Sequence, residues 1–214
     1  QFSLLVLINA FVGGMVGIER AILPALAQEE IGLAERTAIL SFIAMFGVTK
    51  AAANYFAGRL GDRWGRKPVL VAGWLVAVPV PFLLMWAPTW GWVIVANLFL
   101  GVSQGLSWST AVIMKIDLAG PRSRGLAMGL NEFAGYIAVA IVAFFTGYIA
   151  GEYGVRPYPF YIGIGLVAAG LLTSIFLVKD TRLHVAKESE VNAVPKLRRV
   201  FWDTTVLHPN LGSV

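Results

Sequence analysis

Apolar residues gather into six runs along this chain, at about 3–25, 37–57, 68–87, 91–113, 125–149 and 158–178, with charges and prolines collected in the short stretches between them. A helix of roughly 20 residues, rising about 1.5 Å per residue, crosses a hydrocarbon core roughly 30 Å thick. It also satisfies its own backbone hydrogen bonds, which lipid cannot do for it. Closed β-barrels leave a different trace, segments of about ten residues with alternating polarity, and the sequence lacks it. The pattern therefore predicts an all-α membrane protein with six spanning helices. The first run is too long for a signal peptide and has neither a basic leader nor a small-residue cleavage site. Because the chain opens on Gln1 and not Met, residues before it are expected.

Composition agrees, with 57% hydrophobic residues and only 14% charged ones, against about 25% charged in a soluble domain. The absence of cysteine excludes disulfides, thiolate metal sites and a cysteine nucleophile. A net charge of +5 invites a nucleic-acid reading, but the placement of the charges argues against one. With the N-terminus in the cytoplasm, Arg59, Arg63, Arg66, Lys67, Lys115, Arg122 and Arg124 fall in inside loops, and Lys179, Arg182, Lys187, Lys196, Arg198 and Arg199 follow the sixth run. The outside loops hold only Arg36 and Arg156, beside Glu29, Glu30, Glu35 and Glu152. This is the positive-inside asymmetry of a membrane protein. Trp86, Trp90 and Trp92 cluster where the third run leaves the membrane on the far side, as an interfacial belt requires.

An internal repeat organises the runs. Phe56 to Pro68, FAGRLGDRWGRKP, aligns with Phe145 to Pro157, FTGYIAGEYGVRP, at a shift of 89 residues and with eight matching positions. Runs one to three and four to six thus read as two copies of a three-helix unit. An odd number of spans per copy makes them inverted, the arrangement of secondary transporters with a midplane site at the repeat interface. In the second copy Asp62 is replaced by Gly151 and Arg66 by Val155, so these two charges serve something beyond topology.

The first copy resembles the signature loop of the major facilitator superfamily, which joins that family's second and third helices. Gly58, Gly61, Asp62, Arg63, Gly65, Arg66 and Lys67 carry the likeness. Weaker echoes are Arg124 to Gly129 entering the fifth run, Ile22-Leu23-Pro24 ending the first, and Lys179-Asp180-Thr181-Arg182 ending the sixth. The resemblance covers about residues 3–182 and implies the N-terminal six-helix half of a twelve-helix transporter. Residues 183–214, partly amphipathic from Val194 to Trp202, would then be a cytoplasmic linker to a missing C-terminal half. The alternative is a complete six-helix protein that pairs with itself. The resemblance further implies that Asp62 sits against a helix N-terminus of the other half and pairs with neighbouring arginine as a conformational gate. A carboxylate there is favoured by roughly 0.3–1 kcal/mol. Gly58, Gly61 and Gly65 are expected to keep the turn tight. A solvated basic turn that only sets topology is the plainer reading.

Four ionisable residues lie inside the runs: Glu19 and Arg20 in the first, Lys50 in the second, Glu132 in the fifth. Central placement of a charge costs about 2.5–3.5 kcal/mol, so each needs a cavity or a partner. Glu19 and Arg20 are adjacent in sequence, about 100° apart on a helix, and do not readily pair. Lys50 shares a face with Gly47 and Asn54. Asn97, Gly101, Gln104 and Trp108 line one face of the fourth run, and Gly101, Gly105 and Ser109 form a ladder of small residues suited to close packing. Many proton-coupled drug exporters of the family carry arginine where Asn97 stands, which counts against that branch. Asn131 and Glu132, followed by Gly135 and Tyr136, place polar groups where a proton-carrying carboxylate would act, with Glu19 as a second carboxylate for that role, although Glu132 could simply neutralise Lys50.

Enzymatic readings lack parts. Ser107 and Ser109 have no base in the membrane, His184 and His208 lie after the sixth run, and no nucleotide loop with GK[ST] occurs. No cofactor or metal is implied. The expected function is secondary active transport of a small solute, with an anionic group to match Lys50 and protons as a coupling partner, in a cytoplasmic inner membrane. A transporter-like receptor or scaffold is the competing class.

Overall fold

The computed structural model describes residues 1–33 and 36–181, leaving aside the side chains at 36–39 and 120–122. The linker read into residues 183–214, with His184, His208 and its basic residues, lies outside the described part, as do Glu35, Arg182 and the side chains of Arg36 and Arg122. The helices are α1 (Phe2–Glu29), α2 (Arg36–Trp64), α3 (Arg66–Ala77), α4 (Pro79–Met85), α5 (Trp90–Tyr153) and α6 (Tyr158–Phe176). They belong to one compact unit, Gln1–Arg182.

The six predicted spans map onto these elements with three adjustments. Pro24 was expected to end the first helix, but it lies inside α1, which continues to Glu29. The third span is split into α3 and α4 at Pro79, which opens α4; proline supplies no N–H to carry a helix through and is well placed in a first turn. The fourth and fifth spans are one helical assignment of 64 residues. As a straight rod it would be about 96 Å long, yet Trp108 and Glu132 of this element are hydrogen-bonded at 3.1 Å. The element therefore doubles back near Gly120, midway between them, and has two limbs that serve as the fourth and fifth spans. The expected loop between them, which held Lys115, Arg122 and Arg124, is helical.

Phe2–Glu29, Arg66–Met85, Ser123–Tyr153 and Tyr158–Phe176 are long and apolar enough to cross a membrane on composition alone. The predicted runs in α2 and the first limb of α5 are more polar because they carry Lys50 and Asn54, and Asn97, Gln104 and several hydroxyls. α1 packs mainly on α5 and also on α6, and its Leu5, Ile8, Val12, Ile18 and Ile22 belong to one buried cluster with Leu70, Trp74, Val80 and Phe160 from α3, α4 and α6.

Close approach of backbones holds the bundle together. A Cβ at Gly13 would run into the Gly135 carbonyl, and one at Gly17 into the Val139 carbonyl, so α1 meets the second limb of α5 almost backbone to backbone. The predicted small-residue ladder does the same between the first limb and α2: a Cβ at Gly101 would strike Thr49, and one at Gly105 would strike Ala53 and lie 2.8 Å from the Lys50 carbonyl oxygen. Ser109, the third rung, donates to Asn54 Oδ1 at 2.7 Å. Lipid offers no hydrophobic drive for helices to associate, so such contacts supply the packing energy.

The repeat is visible in the backbone. Gly65 (φ 102°, ψ 156°) and Gly154 (φ 89°, ψ 164°), 89 residues apart, adopt the same left-handed-side conformation, which residues with a Cβ rarely adopt. Repeat-related Lys67 and Arg156 each donate to a helix-end carbonyl, Lys67 to Ile175 at 2.7 Å and Arg156 to Ala87 at 2.7 Å.

Gly105→Val should lower the stability of the purified protein by about 1–3 kcal/mol, the usual range for an overpacked interior. Gly125→Ala, where an added Cβ meets nothing within 4 Å, should leave it unchanged. Unfolding followed in detergent for the two variants side by side tests the packing account, and equal midpoints would refute it.

Candidate functional site

Two groups of polar residues are held by this scaffold. The first lies at the Gly65 end of the bundle. α2 runs as helix to Trp64, so the expected loop contracts to Gly65 alone, and Asp62 and Arg63 occupy the last helical turn. Arg66 reaches back to Asp62 Oδ1 at 2.9 Å and stands 3.6 Å from Asp117 Oδ2 on the first limb of α5. Its side chain is 9% exposed, whereas that of Asp62 is 73% exposed. The buried centre of the loop is therefore the arginine and not the aspartate. Thr181 donates to Asp117 Oδ2 at 2.8 Å, and the backbone N–H of Lys67 donates to Asp180 Oδ2 at 2.9 Å. Asp180 thus caps α3, a favourable place for a carboxylate.

The glycines divide into two kinds. A Cβ at Gly61 would lie 2.7 Å from Arg66 Nη1, and one at Gly65 would lie 2.7 Å from Asp180 Oδ2, so both make room for the ion network. Gly58 has open space around it, contrary to the expectation that it tightens the turn, because α2 continues past it as regular helix. Arg59 stacks on Tyr55, 5.0 Å from its ring centroid.

The second group lies at the middle of the unit. Lys50 Nζ sits 4.8 Å from the Trp108 ring centroid and 5.5 Å from that of Phe46. The Arg20 guanidinium lies over Phe42 at 5.6 Å and Phe46 at 5.7 Å. Trp108 donates to Glu132 Oε1 at 3.1 Å, and Asn131 donates to the same oxygen at 2.8 Å. Asn131 is anchored in turn by Asn9, which donates to its carbonyl at 2.8 Å. Tyr136 meets Trp108 edge to face at 6.0 Å, and the glycine at 135 makes room for the indole tip. Arg20, Lys50, Trp108, Asn131 and Glu132 are therefore brought together, with Asn54 on the same side through Ser109.

Three candidates are placed elsewhere. Asn97 and Gln104 were expected to line a cavity wall, but both are buried inside the unit: Asn97 donates to Val93 of its own helix at 3.0 Å, and Gln104 to the Val12 carbonyl at 2.6 Å. Gln104 thus turns toward α1, whereas Gly101 and Trp108 of the same stripe meet α2 at Thr49 and Lys50. Glu19 is buried in a small pocket with Ile18, Val80, Leu84 and Phe160, and its Oε1 has no hydrogen-bond partner.

Sequence reasoning missed Lys115, Asp117, Asp180 and Thr181 as site residues. Lys115 was assigned to an inside loop; it is fully buried, and its ammonium donates to the Leu5 carbonyl at 3.2 Å. The signal was present, since 97, 101, 104, 108, 111 and 115 continue one helical stripe at spacings of three and four, but the stripe was cut at the end of the apolar run.

A cation held over rings, beside a carboxylate held by neutral donors, is an arrangement for binding and exchanging charge; it is not a nucleophile–base pair. Ser107 is buried without a partner and Ser109 is bonded to an amide.

Known proteins resemble this chain along its length. The profile of the major facilitator superfamily matches residues 3–210. The chain is 29% identical over 165 residues to the multidrug resistance protein MdtL of Klebsiella pneumoniae, covering 75% of this chain and 40% of that protein. It is 27% identical over 186 residues to the class E tetracycline resistance protein of Escherichia coli, covering 83% of this chain and 44% of that one. The inward-open xylose transporter XylE of E. coli has the same fold, with a TM-score of 0.68 at 14% identity, covering 89% of this chain and 51% of that structure. The chain thus spans about half the length or less of the proteins it matches. With the family profile spanning nearly all of its residues, the chain belongs to the major facilitator superfamily.

Proposed function

We propose that this chain is the N-terminal six-helix half of a secondary active transporter that moves a small solute with an anionic group by alternating access. The observation that carries the reading is Lys50, a half-buried ammonium at mid-membrane held only by ring faces, with no carboxylate among the described residues within ion-pair distance. Such a charge is costly in hydrocarbon and is available to a ligand. The C-terminal half of the same protein is the partner. The membrane is the cytoplasmic one, with the N-terminus and residues 183–214 on its inner side, as the basic residues of the Gly65 end suggest. Two of the relatives are named for drug resistance, which favours export as the direction against the expectation drawn from Asn97; Lys50 favours an anionic cargo. A protein that keeps the helical shell but does not cycle is the competing reading.

The Arg66 network supports a gate at the Gly65 end. It joins the end of α2, the start of α3, the first limb of α5 and the exit of α6 through side chains that a shift of any one element would separate. Asp62, the exposed member, is free to meet a helix end of the other half. Asp62→Asn in the full-length transporter should insert and fold but lose most transport, measured as uptake or efflux in vesicles. A wild-type rate at equal protein level would rule out the gate.

Glu132 is the proposed proton carrier, separated from Lys50 by the Trp108 indole. A glutamine there cannot release a proton, so Glu132→Gln should make transport insensitive to an imposed pH gradient. Retention of the wild-type gradient dependence would exclude Glu132. Lys50→Gln should weaken an anionic cargo about tenfold or more relative to a neutral analogue, as expected for a lost charge-assisted hydrogen bond. An equal loss for both analogues would return Lys50 to a structural role.

A further inference from the structure

The central group contains two cations on one ring. Phe42, Phe46 and Lys50 follow one another at a spacing of four on α2 and so share a face. Arg20 comes from α1 and lies over the first two, so its guanidinium is 5.7 Å and the Lys50 ammonium 5.5 Å from the same Phe46 centroid. No carboxylate among the described residues is within ion-pair distance of either. The charges that act on Lys50 are Glu132, which attracts it, and Arg20, which repels it. Glu132 already accepts from Trp108 and Asn131.

Two like charges are therefore kept near each other by an aromatic ring. A ring face is a weaker partner for a cation than a carboxylate or phosphate that it can hydrogen-bond. Phe46 is buried under them, and an anion that drew either cation off it would uncover part of the ring. A ligand that engages both cations must place an anionic group at each and must put something apolar against the ring between them. Beyond Lys50 the ladder continues through Trp108 to the Glu132 carboxylate, which repels a further negative group and so fixes where the ligand ends.

We propose, resting on the transporter reading above, that the substrate is a dianion whose two charged groups flank an apolar or aromatic body, with Arg20 and Lys50 as its two anion-binding residues and Phe46 under its middle.

The test uses the full-length transporter in nanodiscs and measures binding of succinate, adipate and terephthalate, each with its monoamide and diamide, and of inorganic phosphate. At least one diacid should bind about tenfold or more tightly than its monoamide, the gain expected from a second charge-assisted contact. That preference should disappear in Arg20→Gln and in Lys50→Gln and persist in Arg20→Lys, which keeps the charge and reports on folding. Diacids no tighter than their monoamides, a preference that survives Arg20→Gln, or phosphate binding as well as the best diacid would each overturn the proposal. Monoamides binding better than diamides, with no gain from the second charge, would sink only this inference. Monoamides no better than diamides would sink the anionic-cargo reading as well.

Discussion

Ionised side chains have little to solvate them in a hydrocarbon core, where each costs about 2.5–3.5 kcal/mol at the centre of a helix. The arrangement of this unit reflects how its charges escape that cost, with Glu19, whose Oε1 is buried without a partner, as the exception. Lys50 and Arg20 lie on ring faces, Glu132 accepts from an indole and an amide, and Lys115 donates to a carbonyl of α1. Arg66 stands between two carboxylates at the bundle's end. Each of these solutions draws at least one partner from another helix or limb: Trp108 for Lys50 and for Glu132, Phe46 for Arg20, Leu5 for Lys115 and Asp117 for Arg66. The polar residues thus fix which elements must meet, while the apolar ones fill the space that is left.

Packing and site are coupled through the same contacts. The glycines at 101 and 105 let the first limb of α5 approach α2 at Thr49, Lys50 and Ala53, and that approach sets the Lys50 ammonium over the Trp108 ring. On the other side the glycine at 135 admits the Trp108 indole, whose N–H then reaches Glu132. Small residues in lipid give van der Waals contact and close approach; here they also set the distances between the charges. A change that separates α2 from α5 would therefore take the Lys50 ammonium off the Trp108 ring.

Hydropathy made the spans legible because their lengths are dictated by the bilayer, and the repeat was legible because Gly65 and Gly154 need the same rare backbone. The sequence pattern was less informative where two demands overlap. Lys115 and Asp117 carry charge, so they read as loop, but the helix continues through them and buries both. Asn97 and Gln104 share a helical face with Trp108, and that periodicity could not show that both are buried inside the unit. Gly58 matched the signature as well as Gly61 did, although only Gly61 has a side chain pressed against it. Periodicity tells which residues share a face; what lies opposite that face is settled by the packing of other helices.

The two ends of the inverted repeat share a backbone and differ in chemistry. At the Gly154 end, Arg156 pairs with Glu30 and donates to the Ala87 carbonyl, tying α1 and α4 at a partly exposed place. At the Gly65 end the equivalent lysine only reaches the α6 exit, and the holding is done by Arg66 with Asp62 and Asp117, and by Asp180 on the α3 N-terminus. Arg66 and Asp117 are shielded from solvent, so their attraction is screened less than that of the exposed pair. Parting such charges costs more than parting an exposed pair, because each is left without a partner. The repeat therefore builds the same backbone at both ends, and substitution has given one of them the more shielded ion network.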